Sequence, residues 1–310
     1  MRGGHDGIDG ARAYRDHMPR LHADARVLPA PNGDGHEAAP LVFLPALGFT
    51  GHSFADVAAQ MQAPRRRVLI DLPGIGEGMP AEPVDGDAIV DAVAETLASL
   101  DLGERPVVLV GHSIGGAIAV RLAARYAARF SALVLVDAAV APFRFAWWEH
   151  LAAHPLLWSP LLRMFGAPDV VRLALPRVLH EPPLADGWDL DELSRQLADP
   201  VRRATMISYY KAFLLPRQLV ATARCLPDIH VPVLLLRGAR DMVLPNSVLL
   251  DVISALPEDT RVEVHIFAYG GHLLPLEAPA AVARAIDTFV AELPELIHAQ
   301  AASVEPTASI

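Results

Sequence analysis

Short apolar runs alternate along this chain with longer amphipathic segments, and no other feature limits the fold as strongly. Five runs are continuously apolar, which is typical of strands buried on both faces of a parallel sheet. A sixth alternates apolar and polar residues and therefore favours the edge of a sheet. The runs are residues 41–44, 68–70, 107–110, 133–136, 233–236 and, with alternation, 262–266.

Helical spacing of apolar residues fills the gaps between these runs. Residues 87–100 place Ile89, Val93 and Leu97 at helical intervals, and residues 114–126 and 280–293 carry similar patterns. Strands that alternate with helices predict an α/β fold with a doubly wound, mostly parallel sheet and right-handed crossovers. We therefore expect an α/β core made of residues 26–141 and 224–296.

One segment, residues 142–223, interrupts this alternation. It holds no strand-like run, and its prolines divide it into short helical pieces. We expect a helical cap, or lid, over the carboxyl ends of the strands, where open α/β sheets bind ligands. Its aromatic residues serve to pack the cap on the core, to line a ligand cleft or to contact a membrane surface. They are Phe143, Phe145, Trp147, Trp148 and Trp158. The Lys/Arg-rich polar face typical of a membrane contact is missing. Residues 1–25 are expected to form a loose lead-in and residues 297–310 a flexible tail.

Charge and cysteine content exclude several functions. The 310 residues contain 36 acidic and 26 basic side chains, a formal charge of −10, which disfavours binding to a phosphate backbone. The one basic cluster, Arg65 to Arg67, precedes a strand and is expected at a solvated edge. Cys225 is the only cysteine, so an intramolecular disulfide and a cysteine-based zinc site are excluded.

Neither a signal-peptide core nor an apolar run long enough to span a membrane is present in the sequence. We expect a cytoplasmic protein without stable membrane insertion. No metal-ligand spacing, phosphate loop or haem motif occurs, so no cofactor and no metal are expected. The sequence leaves the oligomeric state open.

The strongest chemical signal is a serine flanked by glycines between a predicted strand and a predicted helix. Small residues on both sides allow a serine to occupy a strained, exposed turn, and the following helix directs its amides at developing negative charge. A phosphate-binding turn is the alternative, but it would require a G-x-G-x-x-G pattern. The segment is Gly111-His112-Ser113-Ile114-Gly115-Gly116, and Ser113 is therefore the candidate nucleophile.

From residue 41 to residue 293 the chain resembles the α/β-hydrolase family. Together with the serine turn, four further segments carry the resemblance in the family's order. They are Leu41 to Gly48, similar to the first strand and oxyanion loop, Asp71-Leu72-Pro73-Gly74-Ile75-Gly76, Gly238-Ala239-Arg240-Asp241 and Gly270-Gly271-His272. The resemblance implies a catalytic triad, a nucleophile elbow, an oxyanion hole and a lid domain.

A serine hydroxyl needs a base, and the resemblance assigns that role to His272. His272 follows two glycines just after the last predicted strand, where a loop can direct its ring at the elbow. From residue type alone other histidines compete. They are His112, beside the serine, His265, inside a strand pattern, and His150, His154 and His180, in the inserted segment.

The base in turn needs a carboxylate that fixes its tautomer. The order Ser113, Asp241, His272 is the one this fold uses, which favours Asp241. Asp137, at the end of the preceding strand, remains the alternative because some relatives place the acid there. Asp71 is expected to be structural and to close the turn at Pro73-Gly74.

An oxyanion hole takes one donor from the amide after the nucleophile, which is Ile114. By the same resemblance the second is the amide of Leu47. Here the chain departs from the family, because Pro45-Ala46 stands where a His-Gly pair is usual. Proline lacks an amide and alanine adopts positive φ only at a cost, so the loop shape is in question.

These residues favour a serine hydrolase that cleaves an ester, thioester or related acyl bond of an apolar small molecule through an acyl-enzyme. Cofactor-free haloperoxidase, perhydrolase or carbon–carbon hydrolase chemistry on the same triad is the alternative within the fold. A non-catalytic binding protein is the alternative from another class. We expect a small-molecule acyl partner and no nucleic-acid partner.

Overall fold

Seven strands form one mostly parallel sheet in the computed structural model, which describes residues 21–31, 38–76, 85–102, 105–143 and 190–303. The order across the sheet is β1-β3-β2-β4-β5-β6-β7, and only β1 runs antiparallel to its neighbour. The strands are β1 (Asp24–Leu28), β2 (Leu41–Leu44), β3 (Arg67–Asp71), β4 (Val107–His112), β5 (Phe130–Val136), β6 (Val233–Gly238) and β7 (Val262–Phe267).

Helices cover both faces of this sheet. In the described residues they are α1 (Ala55–Gln60), α2 (Gly86–Ser99), α3 (Ile114–Arg125), α4 (Leu190–Ala198), α5 (Pro200–Tyr209), α6 (Pro216–Ala223), α7 (Ser247–Ala255), α8 (Leu274–Glu277) and α9 (Pro279–Ser303). A π-helical turn, Tyr210–Leu214, joins α5 to α6.

The predicted α/β class is confirmed, and each of the six predicted runs lies in a strand of the sheet. The alternating run forms β7, which lies at the edge as predicted. Strand β1 was not predicted. It begins at Asp24, so the sheet starts inside the segment expected to be a loose lead-in. Its mixed polar residues carry no strand pattern, because β1 is an exposed edge strand held mainly by backbone pairing with β3.

Two apolar layers enclose the sheet. In β2, Val42 and Leu44 face a layer that includes α2 and α3, whereas Leu41 and Phe43 face a layer that includes α1 and α9. All four side chains are fully buried. A strand covered on both faces has no polar side, which explains the continuous apolar runs in the sequence.

The arginine cluster before β3 is buried, so the prediction of a solvated edge was wrong. Arg65, Arg66 and Arg67 are each 7–8% exposed. Their guanidinium groups donate to backbone carbonyls: Arg65 to Ala39 and Val290, Arg66 to Asp101, and Arg67 to Ala58 and Pro29. These arginines tie loop and helix ends to the sheet and offer no phosphate-binding surface.

Helices α4 to α6 make up the described part of the segment predicted as a cap. Polar contacts hold it on the core. The Tyr209 hydroxyl donates to the Pro73 carbonyl at 2.8 Å, and Arg202 donates to the Gly76 carbonyl. The Arg121 guanidinium donates to the Thr222 hydroxyl at 2.9 Å and to Gln218. Among the predicted lid aromatics, Phe143 is buried in the core. Phe145, Trp147, Trp148 and Trp158 lie outside the described residues, as do His150, His154 and His180.

The last helix, α9, continues to Ser303, whereas a flexible tail was expected from residue 297. After Pro294, residues 295–303 include Glu, Leu, Gln and three Ala, residue types that favour helix.

Candidate active site

Ser113 lies on the sharp turn between β4 and α3. Its backbone is held at φ 53° and ψ −115°, and its N–H donates to the Val136 carbonyl at 3.0 Å. Glycine at position 115 is required by close approach, since a Cβ there would stand 2.2 Å from the Leu44 carbonyl oxygen. The strained turn therefore packs directly on the end of β2, beside the loop predicted to hold the oxyanion donor.

The structure brings Ser113, His272 and Asp241 together. His272, on the loop after β7, places its Nε2 3.1 Å from the Ser113 Oγ and its Nδ1 2.9 Å from the Asp241 Oδ2. Because a carboxylate only accepts, Nδ1 carries the proton and Nε2 is left to accept the serine proton. His272 is 4% exposed and Ser113 7%, so the contact lies in a largely dry site.

Asp241 is held by donors on both of its oxygens. Oδ1 accepts from the backbone amides of Val243 at 2.7 Å and Leu244 at 3.0 Å, and Oδ2 accepts from His272 and Arg237. Burial alone would raise the pKa of Asp241, but the His272 ring, the Arg237 charge and the Leu244 amide outweigh it and lower the pKa to about 2. Asp241 is therefore a carboxylate at neutral pH.

Asp137, the alternative acid, has different neighbours. Its Oδ1 accepts from the Gly238 amide at 3.0 Å and from the Arg237 Nη1 at 3.1 Å. Burial first, and then the Asp241 charge, raise the pKa of Asp137 well above its usual range. The His272 Nδ1 points to Asp241, so the geometry favours Asp241 as the acid.

His112 lies next to the serine in the sequence, but its ring nitrogen bonds to the backbone of His272. Its Nε2 donates to the His272 backbone carbonyl at 2.7 Å, and its ring meets Phe54 edge to face. Burial first, and then the nearby His272, lower the pKa of His112 to about 3, so it stays neutral at ordinary pH. The sequence did not reveal this contact, because it joins residues 160 positions apart.

Glu277, at the end of α8, was also missed in the sequence. Its carboxylate accepts from the backbone amides of Gly271 and Leu273, both at 3.0 Å, and so fixes the loop that carries His272. The sequence feature that could have indicated this role is a carboxylate five positions after a Gly-Gly-His segment, because such a side chain can accept from amides of its own loop.

The two predicted oxyanion donors lie at the start of α3 and on the loop after β2. Ile114 is the first residue of α3, so its N–H has no partner within the helix. Leu47 is half-buried on the loop after β2, and no carbonyl of the described residues takes up its N–H. Gly48, not Ala46, takes the positive φ in this loop, at 80°. The Pro45-Ala46 sequence is therefore compatible with a formed loop.

Asp71 supports the same loop. Its Oδ1 accepts from the Gly51 amide at 2.7 Å. The expected structural role of Asp71 therefore reaches the loop after β2, beyond the turn at Pro73-Gly74.

No group of three or more His, Cys, Asp or Glu side chains in the described residues is placed to hold a metal ion. Within the same residues no helix combines the length and apolar character needed to cross a membrane.

Comparison with known proteins places the chain among related sequences. A sequence profile of the alpha/beta hydrolase family matches residues 41–285. Lipase LipV of Mycobacterium tuberculosis is 30% identical over 230 residues, which are 70% of this chain and 80% of LipV. The pimeloyl-[acyl-carrier protein] methyl ester esterase of Neisseria meningitidis serogroup C is 33% identical over 203 residues, covering 64% of this chain and 73% of the esterase.

The chain is also similar to part of a much longer protein and to an esterase of known structure. Polyketide synthase ThaQ of Burkholderia thailandensis is 25% identical over 81% of this chain, but the chain spans only 12% of the length of ThaQ. The structure of a thermophilic esterase from Thermogutta terrifontis superposes with a TM-score of 0.65 at 18% identity, covering 87% of this chain and 93% of the esterase. At that identity the superposition shows a shared fold.

Proposed function

Because the chain belongs to the alpha/beta hydrolase family, we propose that it is a serine hydrolase which cleaves an ester, thioester or related acyl bond of a largely apolar small molecule. One observation carries the proposal: a continuous hydrogen-bonded path runs from the Ser113 hydroxyl through both nitrogens of His272 to the Asp241 carboxylate. The named esterase and lipase relatives support a reaction at an ester bond.

The reaction would proceed in two acyl-transfer steps. His272 Nε2 takes the Ser113 proton as Oγ attacks the carbonyl carbon, and the Asp241 carboxylate stabilises the imidazolium that forms. His272 then gives this proton to the leaving group as the acyl-enzyme forms. In the second step His272 activates water, which releases the acid and restores Ser113.

The developing negative charge on the substrate oxygen requires donors that are already in place. Ile114 and Leu47 supply backbone N–H groups on the two sides of the serine turn, and the N-terminus of α3 adds its positive dipole end. The buried contact between Gly115 and the end of β2 fixes these two loops relative to each other.

The apolar character of the substrate rests on the cap. A Cβ built on Gly48 would lie 2.6 Å from the Met206 Cε and 3.1 Å from the Leu193 Cδ1, so both side chains cover the loop beside Leu47. Leu47 and Met206 are half-buried and pack against the core. We therefore assign residues 142–223 as a lid whose described helices present apolar side chains to the loop that carries Leu47.

The test is hydrolysis of a series of p-nitrophenyl esters from acetyl to palmitoyl by the wild-type protein and by Ser113→Ala. Each buried methylene contributes about 0.8 kcal/mol, roughly fourfold in binding, so kcat/KM should rise from acetyl to medium chain lengths. Ser113→Ala should abolish turnover, whereas Ser254→Ala, on the exposed face of α7, should not change it.

Met206→Ala should flatten the chain-length profile more than it lowers the rate on the acetyl ester, with Val201→Ala on the exposed side of α5 as the matched control. A profile that peaks at acetyl and ignores Met206 would remove the apolar-lid part of the proposal. Ester turnover that survives in Ser113→Ala would remove the whole of it.

A further inference from the structure

A second carboxyl group lies beside the proposed acid. Asp137 follows β5 and Asp241 follows the neighbouring strand β6, and neither side chain is exposed. Arg237, with 5% of its side chain exposed, joins them: its Nη1 donates to the Asp137 Oδ1 at 3.1 Å and to the Asp241 Oδ2. Its Nη2 donates to the Leu244 carbonyl, which fixes the guanidinium plane. Two acids therefore share one arginine in a dry site.

The charge of this cluster requires a proton. With both acids ionised, two negative charges would be buried against one positive charge, and an unbalanced buried charge costs several kcal/mol. One retained proton makes the cluster neutral. Two carboxyl groups that share a site lose their protons at well-separated pH values for the same reason.

Hydrogen bonding decides which acid keeps the proton. Both oxygens of Asp241 accept from donors, and one of those donors is His272. Asp137 receives donors only on Oδ1, while its Oδ2 is fully enclosed and no donor from the described part of the chain reaches it. Both carboxyl groups accept from the same Arg237 Nη1, so they lie close together. The proton is therefore assigned to the Asp137 Oδ2, the one oxygen of the two carboxyl groups without a donor in the described residues.

The backbone at Asp137 is unusual as well. Its φ is 39°, and the only other non-glycine residue in the described segments with positive φ is Ser113. The Asp137 N–H donates to the Leu236 carbonyl at 2.9 Å. Aspartate and asparagine tolerate this conformation better than other residues with a side chain, which guides the choice of variant.

We propose that Arg237 and a protonated Asp137 are positioning residues that hold the Asp241 carboxylate against His272. The inference rests on the serine hydrolase function proposed above. In the described residues the Arg237 and Asp137 side chains form no hydrogen bond to Ser113 or His272, so they act through Asp241. The raised pKa of Asp137, caused first by burial and then by the Asp241 charge, agrees with this assignment. Arg237 and Asp241 face Asp137 directly, and His272 and His112 lie beyond Asp241.

The first test needs no enzyme activity, so its result is independent of the proposed function. The thermal unfolding midpoints of wild type and Asp137→Asn are compared between pH 5 and pH 7, with the exposed Asp251→Asn as control. A carboxyl group with a raised folded pKa binds more protons in the folded state, so wild type loses stability relative to the variant as pH rises. The unfolding midpoint of Asp137→Asn should rise relative to that of wild type by about 2 °C per pH unit.

If Asp137 is instead ionised and paired with Arg237, the difference in unfolding midpoint should not change with pH. The stabilisation by this ion pair would be complete above about pH 5, so the variant would stay below wild type by a constant amount from pH 5 to pH 7. That outcome overturns the assignment of the proton. The Asp251→Asn control, at an exposed position on α7, reports the effect of the substitution itself.

The second test separates positioning from a purely structural role. Arg237→Gln removes the positive charge beside Asp241, which favours the imidazolium form of His272. The acidic limb of the kcat/KM profile should move to higher pH by about half a unit to one unit. We expect kcat to fall about tenfold or more with KM unchanged, and Arg237→Lys to restore part of the loss. Arg125→Gln, at a partly exposed ion pair on α3, is the matched control.

A merely structural arginine would lower the yield of folded protein but leave the acidic limb and the kcat of the folded fraction unchanged, which overturns the positioning role. Wild-type protein without turnover on any acyl substrate contradicts the proposed function instead, and the unfolding comparison still decides the state of Asp137.

Discussion

Two buried histidines lie side by side in this molecule, with ring centroids 5.4 Å apart, yet their surroundings assign them different work. His112 ends β4 and gives its Nε2 proton to a backbone carbonyl. His272 sits on a loop and has a hydroxyl on one nitrogen and a carboxylate on the other. Both rings are nearly enclosed, at 2% and 4% exposure, so burial alone does not distinguish them.

The difference lies in what can stabilise a positive ring. Next to His272 the Asp241 carboxylate accepts from Nδ1 and would balance the charge of an imidazolium. In the described residues His112 contacts a carbonyl, an aromatic edge and the neighbouring His272 ring, and burial first, then His272, lower its pKa to about 3. A histidine therefore becomes a base through the acceptor on its second nitrogen, and its distance from the serine along the chain is secondary.

The largest expected effect separates the two rings directly. His272→Ala should lower kcat by about 10⁴-fold to 10⁶-fold, because the proton acceptor is lost. Members of a triad act as a unit, so the double variant Ser113→Ala/His272→Ala should be little worse than either single variant in pre-steady-state and steady-state rates. Losses that multiply would mean that the two residues act independently, which would break the assignment.

The next effect compares the two acids. Asp241→Asn should lower kcat by about 10⁴-fold, since an amide cannot hold the required tautomer and charge. Asp137→Asn should cost only a few-fold, because asparagine keeps both the Oδ1 acceptor and a donor on the other atom. If steady-state assays find the reverse order, with Asp137→Asn inactive and Asp241→Asn nearly silent, Asp137 is the acid.

A smaller effect is expected at His112. His112→Leu removes the hydrogen bond to the His272 carbonyl, which contributes roughly 0.5–1.5 kcal/mol, so kcat should fall about threefold to tenfold without a change in KM. His112→Gln can still donate from its amide and should lose less. Equal losses in the two variants would show that ring packing against Phe54, rather than the hydrogen bond, holds the loop.

The last effect concerns the pH dependence of stability and leaves the catalytic rate aside. His112 has a folded pKa lowered to about 3 by burial, against about 6.5 for the unfolded chain, so unfolding takes up one proton between these values. Wild type should therefore lose about 1.4 kcal/mol of unfolding free energy per pH unit relative to His112→Gln as pH falls from 6 to 4. Parallel denaturation curves for both proteins across this range would show that His112 is protonated in the fold.

Sequence patterns predicted the parts of this molecule that depend on local order. Five fully apolar runs and one alternating run identify six strands and the β7 edge. A strand buried on both faces has a continuous apolar run, whereas a strand buried on one face alternates apolar and polar residues. A small-residue turn between strand and helix identifies Ser113. The family order predicted that His272 and Asp241 would join it, and the structure places all three in contact.

Contacts between distant residues were not visible in the sequence. Strand β1 is held by backbone pairing with β3, and its polar side chains show no strand pattern in the sequence. The buried arginines 65–67 look like any basic surface cluster until the carbonyls around them are known. The proposed role of Arg237 depends on its contact with Asp137, which lies 100 positions earlier. The role of His112 depends on its hydrogen bond to the His272 carbonyl.

Labelling of the intact protein with a fluorophosphonate tests the central claim most directly, because the probe reacts only with a serine that its surroundings activate. Peptide mass analysis should place one adduct on Ser113 in wild type and in His112→Gln. Labelling should be absent in Ser113→Ala and slowed by several orders of magnitude in His272→Ala. An unlabelled wild-type Ser113, or labelling that proceeds at the same rate without His272, would contradict the account.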